Sequence, residues 1–148
     1  MRPDLTIRSL QAADRAGWTE LWRAYLAFYG TERPEAVYDL TFARNMNPDH
    51  EAQHCLVAAH QGRLVGLAHI IYHPHNWQAE DICYLQDLYA DPSVRGQGVG
   101  RALIEAVYAA ADKAGCPNVY WTTQEFNYQG RMLYDRVGTK TPFIKYQR

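Results

Sequence analysis

The run DLYADPSVRGQGVGRALIEAV, residues 87–107, constrains this chain more than any other stretch. Glycines occupy every second position, Gly96, Gly98 and Gly100, between a β-like segment and a helix-like one. Lacking a Cβ, such residues let neighbouring backbone N–H groups converge and leave room for an anion. The helix that follows adds its unsatisfied N–H groups and the positive end of its dipole. Arg95 and Arg101 add charge on either side. The pattern predicts a strand–loop–helix unit that holds a phosphate. It does not match a dinucleotide fingerprint, which needs G-x-G-x-x-G in the first βα unit. Here position 101 is Arg, and the loop comes late in the chain. Nor does it end in the G-K-[ST] of a Walker A loop.

The flanking segments supply the rest of the fold. LTIRSL, residues 5–10, reads as a first strand. From Ala12 onward Trp18, Leu21, Trp22, Tyr25, Leu26 and Tyr29 recur at spacings of three and four, a helical period that Gly30 stops. Pro34 opens a second helix through EAVYDLTFARNM, and Pro48 ends it. HCLVAAH and LVGLAHIIYH, joined by QGR, read as a hairpin; HPHNWQAE is a loop and ICYLQDLYA the next strand. Arg101 to Ala114 carries Leu103, Ile104, Val107 and Ala111 on one stripe. NVYWTT reads as a further strand, GRMLYDRV as a short helix, and FIKYQR as a closing strand. The order β-α-α-β-β-β-α-β-α-β predicts an α/β fold (α+β in some schemes): one domain over 1–148, a mixed sheet with helices on both faces.

Composition narrows the partners. A formal charge of −1 gives no basis for a broad grip on nucleic acid or anionic lipid. The start, MRPDLTIRSL, lacks the apolar run of a signal peptide, and no stretch approaches a membrane span. Cys55, Cys83 and Cys116 are odd in number and widely spaced, which fits a reducing, cytoplasmic setting. All 6 histidines fall between residues 50 and 75, among them His69, His73 and His75. They are scattered over a predicted hairpin and its loops rather than set as three or four convergent ligands, so no metal is expected.

Two segments together resemble the GNAT superfamily of N-acetyltransferases. R-G-Q-G-V-G, directly after YLQDLYADPSV, is similar to its acetyl-coenzyme A loop, [QR]-x-x-G-x-[GA], through Arg95, Gly98 and Gly100. Downstream, Asn127, Gly130, Leu133, Tyr134 and Gly138 resemble its N-x-x-A-x-x-[FL]-Y-x-x-x-G segment, with glycine in place of the usual alanine. YLQDLYADPSVRGQGVG, VYWTTQEFN and LYDRVG…FIKYQR look most like the branch holding the yeast polyamine, histone and D-amino-acid acetyltransferases and their bacterial relatives. The resemblance implies a splayed central sheet and acetyl-CoA as co-substrate. It implies direct transfer, without a metal, to the primary amine of a small molecule such as a polyamine or an amino acid. A homodimer or higher assembly through the C-terminal strand is implied as well. A protein lysine acetyltransferase and a catalytically weak acetyl-CoA sensor are the alternative readings.

The same resemblance assigns residues. Leu88, Tyr89, Ala90, Arg95, Gly96, Gln97, Gly98, Val99, Gly100 and Arg101 fall on the cofactor-binding strand and loop, Leu88 being placed to polarise the thioester carbonyl through its backbone. Asn127 falls on a position that holds the coenzyme A arm. Tyr134 falls on a tyrosine that contacts the cofactor sulfur and serves as general acid. The attacking amine must first be neutral, since an alkylammonium has a pKa of roughly 10. Gln86 stands where diamine acetyltransferases carry the acid proposed as base, which leaves Asp87, Glu125 or a water relay. Strand alternation separates Gln86 from Asp87, but a bulge would shift the parity, so the faces stay open. Tyr25, Tyr29, His69 and Gln86 are the expected acceptor-site residues.

Overall fold

The computed structural model describes residues 4–148. Strand β1 (Leu5–Ser9) leads through a 3-10 turn at Ala12–Asp14 into helix α1 (Arg15–Phe28). Helix α2 (Glu35–Met46) and strands β2 (Gln53–His60), β3 (Arg63–His73) and β4 (Ile82–Ala90) follow. A 3-10 turn at Pro92–Val94, helix α3 (Val99–Lys113), strand β5 (Val119–Tyr120) and helix α4 (Tyr128–Val137) complete the order. The strands lie side by side as β1-β2-β3-β4-β5, antiparallel up to β4 and parallel between β4 and β5.

Helices cover both faces of the sheet, and β3 accordingly reads as a nearly unbroken apolar run. On one face Leu103, Ile104 and Val107 of α3 pack against Val65, Ala68, Ile70 and Leu85. On the other, Trp18, Leu21, Trp22 and Leu26 of α1, with Tyr38 of α2, pack against Cys55, Val57, Leu67 and Tyr89. Burying each such side chain contributes about 1.5–3 kcal/mol. A Cβ at Gly66 would lie 3.0 Å from both Leu103 Cδ1 and the Tyr89 carbonyl oxygen. Glycine at that point of β3 therefore lets the first turns of α3 settle beside the end of β4.

Two irregularities in β4 position the site. It pairs with β5 only at Cys83–Val119 and Tyr84–Tyr120, and beyond Tyr84 the strands part. Some backbone N–H and C=O groups of residues 85–90 are thus turned toward an open gap rather than a neighbouring strand. Secondly, Asp87 pairs with His69 while Leu85 pairs with Ile70, so Gln86 is the extra residue of a β-bulge. Before the bulge Cys83 and Leu85 join the α3 core; after it Leu88 packs toward that core and Tyr89 toward α1 and α2. Asp87 consequently faces the α1–α2 side, which settles the parity that alternation alone left open.

Three expectations are corrected. Helix α3 starts at Val99 rather than Arg101, because Gly98 with φ 84° forms its N-cap. NVYWTT yields only the two-residue strand Val119–Tyr120, since the chain turns away from β4 there. FIKYQR forms no strand: nothing pairs with it among the described residues, and Phe143, Ile144 and Tyr146 stand exposed. The short β5 offers no edge long enough to receive it.

Candidate active site

The glycine loop closes one end of the gap. Gly96 and Gly98 adopt φ values of 78° and 84°, a region that costs other L-residues roughly 1–2 kcal/mol. The first bond of α3 runs from the Ala102 N–H to the Gly98 carbonyl, 2.9 Å. The N–H groups of Val99, Gly100 and Arg101 therefore have no carbonyl within the helix and point out of its positive end. A Cβ at Gly96 would meet nothing within 4 Å, so the loop is open there. Gly100 serves differently: a Cβ on it would sit 3.3 Å from Leu133, between α3 and α4.

The loop's side chains divide. The Arg95 guanidinium lies over the rings of Tyr89 and Phe28, 5.7 and 5.9 Å from their centroids, and its Nε donates to the Ala90 carbonyl at 3.4 Å. Gln97 donates to the Ser93 carbonyl at 3.3 Å. Arg101 is held in an exposed pair with Glu105, 2.9 Å away. Across the gap the Asn127 side chain caps α4, accepting from the Gly130 N–H at 3.3 Å and donating to Thr123 Oγ1 at 3.0 Å. A Cβ at residue 130 would come within 2.6 Å of Asn127 Nδ2, which is why glycine stands there.

Between the parted strands lies a narrow cleft, lined on β4 by Leu85, Gln86 and Leu88 and past β5 by Trp121 and Thr122. Tyr25, Tyr29 and Tyr134 close it. Burial, and secondarily Tyr29, pushes the Tyr134 phenol up to about 12, so it keeps its proton through neutral pH. Burial and then the Asp87 charge raise Tyr25 further. Its hydroxyl donates to the Gln86 carbonyl at 3.4 Å.

On the opposite face a larger cavity, ≈ 270 Å³, opens between the sheet and helices α1 and α2. Helix α2 lines it with Val37, Thr41 and Asn45, and Arg33 stands one turn before them. Trp22 and Leu26 come from α1, and Gln53, His69, Ile70, Ile71, Gln86 and Asp87 from the sheet. Gln86 belongs to both spaces, so the bulge is where they meet.

Behind Asp87 runs a buried hydrogen-bond chain. Trp18 Nε1 donates to His69 Nε2 at 2.9 Å, and His69 Nδ1 faces Asp87 Oδ2 at 2.7 Å. Burial opposes charge on His69, while Cys55 and Asp87 outweigh it and draw the imidazole's pKa upward. An indole N–H can only donate, so Nε2 is an acceptor here and Nδ1 carries the proton toward Asp87. A second proton would set two donors face to face, and Trp18 would have to turn away. The pair is thus neutral imidazole donating to carboxylate.

Most of the expected residues converge: Asp87, Gln86, His69, Tyr25, Tyr29, Leu88 and Tyr134 surround the bulge. Glu125 does not. It is exposed and lines neither space; its carbonyl accepts from Arg131. Trp18, Arg33, Thr41, Asn45 and Gln53 were not singled out from sequence. The row 33, 37, 41, 45, in which Arg33, Thr41 and Asn45 recur at a helical spacing of four, could have marked three of them; Trp18 and Gln53 carried no such signal. His73 turns elsewhere, bonding the Tyr120 hydroxyl at 2.8 Å. Among the described residues no three His, Cys, Asp or Glu side chains are grouped to hold a metal, and no helix is long and apolar enough to cross a membrane.

A glycine loop with open N–H groups, and two spaces that meet at a strand bulge, suit an enzyme of the group-transfer class. The chain belongs to the acetyltransferase (GNAT) family, whose model matches residues 18–139. It is 36% identical over 145 residues to the D-amino-acid N-acetyltransferase HPA3 of Saccharomyces cerevisiae, spanning 97% of this chain and 90% of that protein. It is 34% identical to the thialysine N-epsilon-acetyltransferase of Mus musculus over 97 residues, 59% of this chain and 55% of the relative. Its fold matches that of AAC(6')-Iy, solved with the bisubstrate analogue CoA-S-monomethyl-acetylneamine. The TM-score is 0.85 at 18% identity, with 97% of each chain covered.

Proposed function

We propose that this enzyme transfers the acetyl group of acetyl-CoA directly to the primary amine of a small molecule of the amino-acid or polyamine class. The observation that carries the reading is the meeting of the two spaces at Gln86, on the strand that runs on into the glycine loop. Acetyl-CoA brings the activated acyl group as a thioester. The open N–H groups of Val99, Gly100 and Arg101 suit its pyrophosphate, Arg95 and Gln97 flank that site, and Asn127 suits its amide arm. Leu88 lies where β4 has left β5, so backbone there is available to the thioester oxygen.

In this reading the acceptor enters the larger cavity and Asp87 takes the amine proton as it attacks. His69 keeps Asp87 oriented, and Trp18 keeps His69 in the donating tautomer. Tyr134, protonated at neutral pH, supplies a proton to the departing sulfur. Gln86 stands at the junction as a neutral hydrogen-bonding wall, and Tyr25 and Tyr29 guard the cleft. The test is thiol release from acetyl-CoA with purified protein and a panel of polyamines, D- and L-amino acids and basic peptides. Turnover on one small-molecule class supports the reading; tight acetyl-CoA binding without turnover on any member defeats it.

Two further features belong to the same proposal. The exposed Phe143, Ile144 and Tyr146 support association of two copies through the C-terminal segment, which truncation after Gly138 with sedimentation would test. Three buried, unpaired cysteines suit a reducing, cytoplasmic compartment.

A further inference from the structure

We propose that Arg33 is the anion anchor of the acceptor cavity, so that the preferred acceptor is an amino acid whose carboxylate meets this guanidinium while its amine reaches Asp87. The inference rests on the acetyl-transfer reading above and decides between the two acceptor classes it leaves.

The charges around α2 carry the argument. Two acids of that helix are already matched by α1: Asp39 pairs with Arg15 at 2.7 Å and Glu35 with Arg23 at 3.0 Å. Arg33 has no carboxylate within 4 Å among the described residues. One nitrogen, Nη1, donates to Thr31 Oγ1 at 3.1 Å and to the Glu32 carbonyl at 3.0 Å, both neutral acceptors. Those bonds fix the head of the side chain and leave Nη2 and Nε to a planar anion, the geometry in which arginine binds carboxylate. Arg33 and Asp87 are the cavity's charged lining residues beside the buried His69, and they carry opposite signs. An α-amino acid presents the complementary pair. A polyamine would bring a second ammonium toward the guanidinium instead. The space, ≈ 270 Å³, is at the small end for ligand sites, and Leu26, Val37 and Ile71 leave apolar wall for a side chain.

The experiment measures kcat/KM for a set of D- and L-amino acids, each beside its amide and its decarboxylated amine. A hydrogen-bonded charge pair at a partly solvated rim is expected to favour the acid over its amide by about 10- to 100-fold, with the difference mainly in KM. R33A should shrink that preference toward one, R33K should restore part of it, and R33E should shift preference toward diamines. Raising salt should raise KM for the acids more than for the amides. Arg33 is exposed and its bonds are local, so these variants are expected to fold. If the best acceptors lack an anion, or R33A lowers acid and amide equally, the anchor is refuted while acetyl transfer stands. If no amine in the set releases thiol, the transfer reading itself fails.

Discussion

Trp18→Phe tests the chain of bonds behind Asp87. Trp18 is fully buried and its only polar atom donates to His69, which is itself 4% exposed. Removing the donor leaves Nε2 unpaired in the interior, at about 1–3 kcal/mol. The smaller ring adds a packing loss of about 1 kcal/mol. A total near 2–4 kcal/mol should appear in urea unfolding as a lower midpoint with unchanged slope. The kinetic effect is more specific. Without the indole N–H, only burial still opposes a proton on Nε2, and Cys55 and Asp87 outweigh it and draw the imidazole's pKa upward. Imidazolium beside Asp87 would make the carboxylate a poorer base, and the effect grows as pH falls. The acid limb of the kcat/KM profile should therefore move to higher pH by about one unit, equivalent to 1.4 kcal/mol at a fixed pH below it. Rates well above the limb should approach those of the parent. His69→Gln, which cannot charge, should lower the rate without moving the limb upward. A Trp18→Phe protein that is destabilised but keeps the parent's pH profile would show that Trp18 only packs, and would refute the tautomer argument.

Other perturbations reach separate parts of the molecule. Gly98→Val forces a β-branched residue to φ 84° at the cap of α3; it should weaken acetyl-CoA binding by at least tenfold in calorimetry, while acceptor binding changes little. Tyr134→Phe should lower kcat by about 10²-fold with acetyl-CoA affinity nearly intact. Because the phenol sits at about 12, the parent should lose no activity through this group between pH 7 and about 10. Asp14→Asn removes the carboxylate that accepts from Arg8 at 2.7 and 3.0 Å and from the Gln11 N–H at 2.8 Å. It should cost about 1–2 kcal/mol at pH 7. Arg8 holds the Asp14 carboxyl below its usual range. That stability is full above about pH 4 and is lost as pH falls through the lower folded-state value, so the variant's acid unfolding should be shallower there.

The elements legible in the sequence were those with a strong local period. Trp18, Leu21, Trp22 and Leu26 announce α1 because each turn repeats the same face, and all four are buried. The stripe of Leu103, Ile104 and Val107 likewise announces α3, but it suggests a start at Arg101, two residues inside the helix, because the cap is set by the backbone φ of Gly98 and not by the period. What stayed hidden depends on contacts between distant segments. FIKYQR has the composition of a strand, yet a strand exists only where an edge receives it, and β5 provides two residues. The faces of Gln86 and Asp87 could not be read because a bulge is a property of two strands, set here by the match of His69 to Asp87 and Ile70 to Leu85. Glu125 stood open as a base beside Asp87 because it is the next acid in the motif region, but it is exposed and lines neither space.

In the proposed reading the bulge also accounts for how an acid can be absent at Gln86 and still be supplied. Without it, Asp87 would keep the parity of Cys83 and Leu85 and point into the α3 core, where a carboxylate has no partner. The extra residue turns Asp87 to the α1–α2 face, against the one histidine of β3 that lies within the sheet's buried span. His69 then satisfies one carboxylate oxygen, and Trp18 satisfies His69. Gln86, left on the bulge and exposed, offers an amide to both spaces at no electrostatic cost. In the proposed reading Asp87 serves as the acid where position 86 carries none, and it faces a cavity whose opposite charge comes from Arg33. If Asp87 and Arg33 are the two charged ends of one acceptor site, replacing Arg33 should alter the choice between amino acid and diamine, whereas the carboxylate is needed for both. Asp87→Asn alone should abolish transfer to both, whereas Asp87→Asn with Gln86→Glu restores an acid at the junction. If that double variant regains activity and prefers diamines, the position of the acid, and not the cavity as a whole, sets the class of acceptor.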